Sequence, residues 1–125
     1  MADSTPWQMS ACDLAEAIAG KRISCAEAVG SAVDRMGASN DRINAVVDDL
    51  SEAALAQAAE HDRVLAEDGP IGPLHGVPVT IKENVDQQGR ATPNGVAAFK
   101  DIIAPDDAPL VKNLKRAGAI VIGRT

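Results

Sequence analysis

Lys82 stands at the end of the apolar segment within the run Gly76-Val77-Pro78-Val79-Thr80-Ile81-Lys82-Glu83-Asn84-Val85-Asp86, and its type and place are the ones in this chain best suited to a chemical step. Val77, Val79 and Ile81 alternate with Thr80 and Lys82, the period of a strand with one buried face. A fully hydrated lysine amine, with an ordinary pKa near 10.4, is protonated at neutral pH and is a poor base. A lysine mounted on packed strands loses hydration and with it part of its preference for the charged form. The run therefore supplies a candidate proton acceptor on a rigid mount, and not a complete reaction centre.

The other reactive residue types have simpler readings. Glu83 beside the lysine suits a turn or a polar network, and Asn84 and Asp86 suit Asx-type backbone bonding. Thr92 and Asn94 fall in a turn-rich stretch and receive no substrate role. His75 lies between Leu74 and Gly76 with no nucleophile motif nearby and reads as a packed histidine. His61, between Glu60 and Asp62, reads as part of a solvated helix face. Ser10, Ser24 and Ser51 fit helix starts rather than nucleophiles. Cys12 and Cys25 form neither a CxxC pair nor a Cys/His cluster and read as buried reduced thiols. No zinc-ligand spacing, GxGxxG fingerprint or Walker loop is present, so neither a metal nor a nucleotide cofactor is expected.

The elements that must carry Lys82 can be read from periodicity. Ser10 with Asp13 predicts a helix start, with Leu14, Ala17 and Ile18 inward and Gly20 as the end. Ser24 with Glu27 has the capping-box pattern, and Ala26, Val29, Val33 and Met36 predict the buried stripe of a second helix ending at Gly37 and Ser39-Asn40-Asp41. Residues 43–47 are a short extended candidate. Asp49 with Glu52 opens a third helix, with Leu55, Ala58, Ala59 and Leu65 inward, stopped by Gly69-Pro70. Pro78 then starts a strand over Val79–Lys82, and residues 86–106 form an irregular connection. Asp107 is the expected N-cap of a helix with Pro109 in its first turn, Val111, Leu114 and Ala117 inward, and Gly118 at C′. Ala119–Ile122, apolar on both faces, has the pattern of a strand inside a parallel sheet, joined to the first by a right-handed crossover. The chain is thus α/β and one domain: residues 1–69 mainly helical, 70–125 strand–loop–helix–strand.

Composition narrows the function classes. Alanine supplies much of the 46% hydrophobic fraction and Trp7 and Phe99 are the aromatics, so the core is thin at about 25 cal/mol per Å² of buried apolar area. Twelve basic against 18 acidic residues give a net charge of −6 with no basic stripe, which argues against direct nucleic-acid binding. No apolar run approaches the roughly 20 residues needed to span a bilayer. Asp3 and the absence of an apolar h-region argue against a signal peptide, and a cytoplasmic location is expected. A buried last strand needs partners on both edges. It is read as the start of a larger sheet in a longer chain, with a protected edge or a homodimer as the alternative.

The segments Gly72-Pro73-Leu74-His75-Gly76-Val77-Pro78-Val79, Lys82-Glu83-Asn84, Gly89 and Leu114-Lys115-Arg116-Ala117-Gly118-Ala119-Ile120-Val121-Ile122-Gly123-Arg124-Thr125 together resemble the amidase signature family. The resemblance implies the N-terminal part of that fold, a helical preamble followed by the first elements of a mixed central sheet. It also implies hydrolysis of carbon–nitrogen amide bonds by a serine nucleophile, a second serine in a cis peptide, and a lysine that falls on Lys82. Many members carry aspartate where this chain has Glu83. Both serines lie in a later Gly/Ser-rich region, so these 125 residues are expected to supply only the base and to be inactive alone. The expected ligand is a small-molecule amide, without cofactor or metal. A non-catalytic structural or interaction domain and one subunit of a glutamyl-tRNA amidotransferase are the alternatives.

Overall fold

The computed structural model describes residues 5–125, so Asp3 lies outside the described residues. Four helices, α1 (Ala11–Ala19), α2 (Cys25–Ile43), α3 (Ser51–Glu67) and α4 (Pro109–Arg116), accompany three strands, β1 (Asp48–Asp49), β2 (Pro78–Ile81) and β3 (Ile120–Arg124). Short 3-10 turns occur at Pro6–Gln8 and Ala97–Phe99. The strand order is β1-β3-β2, with β1 antiparallel and β2 parallel to β3. This is the expected α/β arrangement of helices followed by a small mixed sheet.

The local signals explain most element starts. Ser10 Oγ accepts from Asp13 N–H at 3.1 Å and caps α1. Ser24 Oγ accepts from Glu27 N–H at 3.0 Å while the Glu27 carboxylate accepts from Ser24 N–H at 2.8 Å, a complete capping box. Helix α2 runs on through Gly37 and the 39–41 cluster to Ile43. There the turn-forming side chains serve tertiary bonds: the Asn40 amide donates to Val46 O at 2.9 Å and accepts from Val46 N–H at 2.8 Å. Asn44, at φ 48°, closes the helix instead. The extended piece accordingly falls at Asp48–Asp49 rather than at 43–47. At α4 the N-cap is Ala108, not Asp107, whose carboxylate accepts from Gln88 N–H at 2.7 Å.

β3 organises the core because both of its faces are covered. Ile120 and Ile122 pack with Leu14, Ile18, Cys25, Val29, Ala54, Ala58 and Leu65 of α1–α3. Val121 packs with Ile81 and with Val111 of α4. Burying an isoleucine or valine fully is worth about 1.5–3 kcal/mol relative to leaving it in water. The last strand is therefore central, with β1 on one edge, paired at Gly123 and Arg124, and β2 on the other. Leu55 and Ala59, expected inward, are exposed, while His61, expected in solvent, is buried. The stripe of α3 runs Ala54, Ala58, His61, Leu65, at spacings of four, three and four. Cys12 lies off the buried stripe of α1 and is exposed, whereas Cys25 is buried as expected.

Candidate active site

Lys82 follows β2 directly, at the carboxyl end of a strand parallel to β3. Ligands of α/β sheets gather outside the carboxyl ends of such strands. The pairing has one irregularity, where Val79 faces Val121 but Thr80 faces Gly123, leaving Ile122 as the extra residue on β3. Beyond the bulge the ladder brackets the lysine. Thr125 N–H donates to Ile81 O at 2.9 Å, and Glu83 N–H donates to Thr125 O at 2.7 Å. The peptide units on both sides of Lys82 are thus fixed while its side chain stays exposed.

The turn after Lys82 is held by polar contacts of its own. Val85 N–H donates to Lys82 O at 3.0 Å. The Glu83 carboxylate accepts from Asn94 N–H at 2.9 Å, the network role read for it in the sequence. Asp86 accepts from Thr92 Oγ1 at 2.6 Å. Asn94, at φ 49°, turns the chain beneath Glu83.

Three residues that sequence reasoning passed over stand at the centre of this region. Arg124 is 2% exposed and donates to the carbonyl oxygens of Ala91 at 2.7 Å, Glu83 at 2.8 Å and Val85 at 3.1 Å. Arg90 grips Asp48 of β1 in a two-pronged ion pair, with Nε to Oδ2 at 2.7 Å. Asp48 also lies 3.6 Å from Arg124 Nη1. An open cleft of about 560 Å³ lies here, with Asp48, Glu83, Arg90, Ala91, Lys100 and Arg124 among its lining residues. Lys82 is not among the residues that line that cleft.

Other candidate groups are brought elsewhere. His75 accepts from Ile71 N–H at Nδ1 (3.0 Å) and donates from Nε2 to His61 O (2.9 Å), so both ring nitrogens are spent on backbone. Ser10 and Ser24 cap helices, Ser31 accepts from Trp7 N–H, Ser39 donates to Arg35 O, and Ser51 bonds Asp49. Each described serine thus has a structural partner, and none of those partners is Lys82. Among the described residues no group of three or more His, Cys, Asp or Glu side chains is arranged to hold a metal ion, and no helix is long and apolar enough to cross a membrane.

Residues 27–125 match the Amidase family. The chain belongs to that family. The indoleacetamide hydrolase of Bradyrhizobium diazoefficiens is 59% identical over 119 residues, which cover 95% of this chain and 23% of that protein. A glutamyl-tRNA(Gln) amidotransferase subunit from Alkaliphilus metalliredigens is 36% identical over 118 residues, 94% of this chain and 24% of that one. The solved structure of a fatty acid amide hydrolase superposes with a TM-score of 0.93 at 27% identity, over 96% of this chain and 21% of its own. The amidase chain described here therefore spans about a quarter of the length of the curated relatives it matches.

Proposed function

We propose that this amidase segment supplies the base, Lys82, to an enzyme that hydrolyses the carbon–nitrogen bond of a primary amide through a serine acyl-enzyme. The observation that carries the reading is the fixed backbone on both sides of an exposed lysine at the carboxyl end of β2, within the stretch matching the family. In such chemistry a serine hydroxyl loses its proton as it attacks the carbonyl carbon, and the departing nitrogen gains one as the C–N bond breaks. A neutral lysine serves both transfers through an intervening hydroxyl. Since Lys82 is exposed here, water around its amine has to be displaced by substrate or by further chain before it can act. Among the described residues no serine is bonded to Lys82, so residues 1–125 by themselves should release no ammonia from amides.

The identity to an indoleacetamide hydrolase makes arylacetamides the substrates to try first. In the polypeptide of the complete reading frame, Lys82→Ala should lower kcat/KM for indoleacetamide by about 100-fold or more, followed by ammonia release. Turnover unchanged in that variant defeats the role of Lys82. The similarity to a component of an amidotransferase favours a second reading, in which the released ammonia passes to a partner protein that works on glutamyl-tRNA. Glutaminase activity that appears only with such a partner would select it. A chain whose complete reading frame carries no downstream serine pair would be a structural or interaction domain instead.

A further inference from the structure

We propose that Arg124 is a positioning residue for the lysine-bearing turn, fixing residues 83–91 and so the place from which Lys82 extends its amine. The proposal rests on the reading of Lys82 as the amidase base. Its starting point is an unusual use of a buried charge. A guanidinium out of water is costly unless its donors are satisfied; Arg124 is 2% exposed, with Nη1 and Nη2 bonded to carbonyls and Nε left without a partner. Its acceptors are neither a substrate nor a single carboxylate but three main-chain carbonyls of one loop, those of Glu83, Val85 and Ala91. Asp48 sits beyond hydrogen-bond distance at 3.6 Å and offers charge compensation, while its carboxylate is occupied by Arg90 of the same loop.

Residues 83–91 of the loop lie in no helix and no long ladder that could take these carbonyls, so each needs another donor. A planar fork with donors fixed in direction meets that need at several points together, and an ammonium on a flexible stem does not. The fork is mounted on the central strand, whose residues Ile120–Arg124 are all buried. From one neighbouring pair, Arg124 and Thr125, the protein thus holds the Lys82 segment twice: Thr125 binds the peptide groups of Ile81 and Glu83, and Arg124 takes the Glu83 carbonyl and the turn beyond it. A long, exposed side chain such as Lys82 can be aimed only through its backbone. Loss of the fork should therefore displace the amine while leaving substrate contacts from other parts of the enzyme in place.

The test uses the complete polypeptide with Arg124→Lys and Arg124→Met, indoleacetamide as substrate, and trace acetic anhydride to read the acylation rate of Lys82 by peptide mass spectrometry. Both variants should lose kcat by about 100-fold with KM changed less than about threefold, and Lys82 acylation should change about threefold or more while that of Lys112 does not. In a Lys82→Ala background, Arg124→Lys should have almost no further effect on turnover, which a general structural defect would not spare. A folded Arg124→Met variant with parental kcat and parental Lys82 acylation overturns the proposal, as does an equal fold loss in the Lys82→Ala background. Should Arg124→Met fail to fold, Arg124→Lys, which keeps the charge, decides by the same readings. If Lys82→Ala retains full turnover, the base assignment fails, and the acylation rates alone still decide whether Arg124 positions that lysine.

Discussion

His75 donates from Nε2 to the main-chain carbonyl of His61 at 2.9 Å, and the two rings lie 4.9 Å apart, tilted by 35°. The bond ties the segment before β2 to the middle of α3. Because Ile71 N–H donates to Nδ1 of His75, that ring carries its proton on Nε2. His61 in turn bonds Gln57 O through Nδ1 at 3.0 Å. Burial and the nearby His75 hold His61 below its ordinary value, against the opposing pull of the helix carbonyl of Gln57 and the carboxylates of Asp62 and Glu60.

The folded protein therefore binds a proton at His61 more weakly than the unfolded chain does. The resulting stability is fully present above about pH 6.5, and it is lost as pH falls through the lowered folded-state value. Urea midpoints measured from pH 8 to pH 5 should decline on the acid side. In His61→Gln the difference from the parent should shrink as the pH is lowered, and a constant difference would assign the acid loss to other groups.

Asp62 of α3 caps a different helix. Its carboxylate accepts from Cys25 N–H at 2.6 Å and from Ala26 N–H at 3.0 Å, two free donors in the first turn of α2. Asp62→Ala should cost about 1–2 kcal/mol in denaturant unfolding, the range for losing a charged cap. Asp62→Asn should recover part of that loss, since its amide oxygen can still accept.

The two thiols should react at very different rates. Cys25 is buried, and burial together with the Asp62 carboxylate pushes its thiol up to about 12. Cys12 is exposed. In native protein at pH 8, a maleimide should label Cys12 and spare Cys25, and both should label in denaturant. Rapid native labelling of Cys25 would mean that the α2–α3 contact opens readily.

Gly118 and Gly37 should respond in opposite directions to alanine. Gly118 has φ +90°, and a Cβ there would come within 2.7 Å of His75 Cα. Gly118→Ala should cost about 3 kcal/mol or more, because strain adds to backbone overlap. Gly37 lies inside α2 with nothing within 4 Å of the same position, so Gly37→Ala should gain about 0.5–1 kcal/mol. Thermal melts of both variants check the pair.

Legibility in the sequence followed the range of the interaction. The α1 and α2 starts were readable because Ser10 and Ser24 bond residues three positions away. The alternating strand that leads to Lys82 was readable for the same reason, although it ends at Ile81 and not at Lys82, as was the pairing role of an apolar Ile120–Ile122. The end of α2 was misread because Asn40 spends its side chain on Val46, and Asp107 was misread as the N-cap because its carboxylate accepts from Gln88 N–H and Lys115 Nζ and not from the first-turn amides of α4. His61 belonged to the apolar stripe by spacing, and the charged neighbours Glu60 and Asp62 hid it. Arg124 left no local trace at all, since its three carbonyl acceptors lie 33 to 41 residues away.

The order of strands across the sheet also sets a timetable for synthesis. β1 emerges first and has no partner until β3 is made, because β2 is not its neighbour. About 70 residues separate the two, which at 5–20 residues per second is roughly 4–14 s of translation. During that interval α1, α2 and α3 can pair with one another, but the apolar surface awaiting Ile120 and Ile122 stays open. A nascent chain at that stage carries an open apolar helical face until Ile120 and Ile122 follow to cover it.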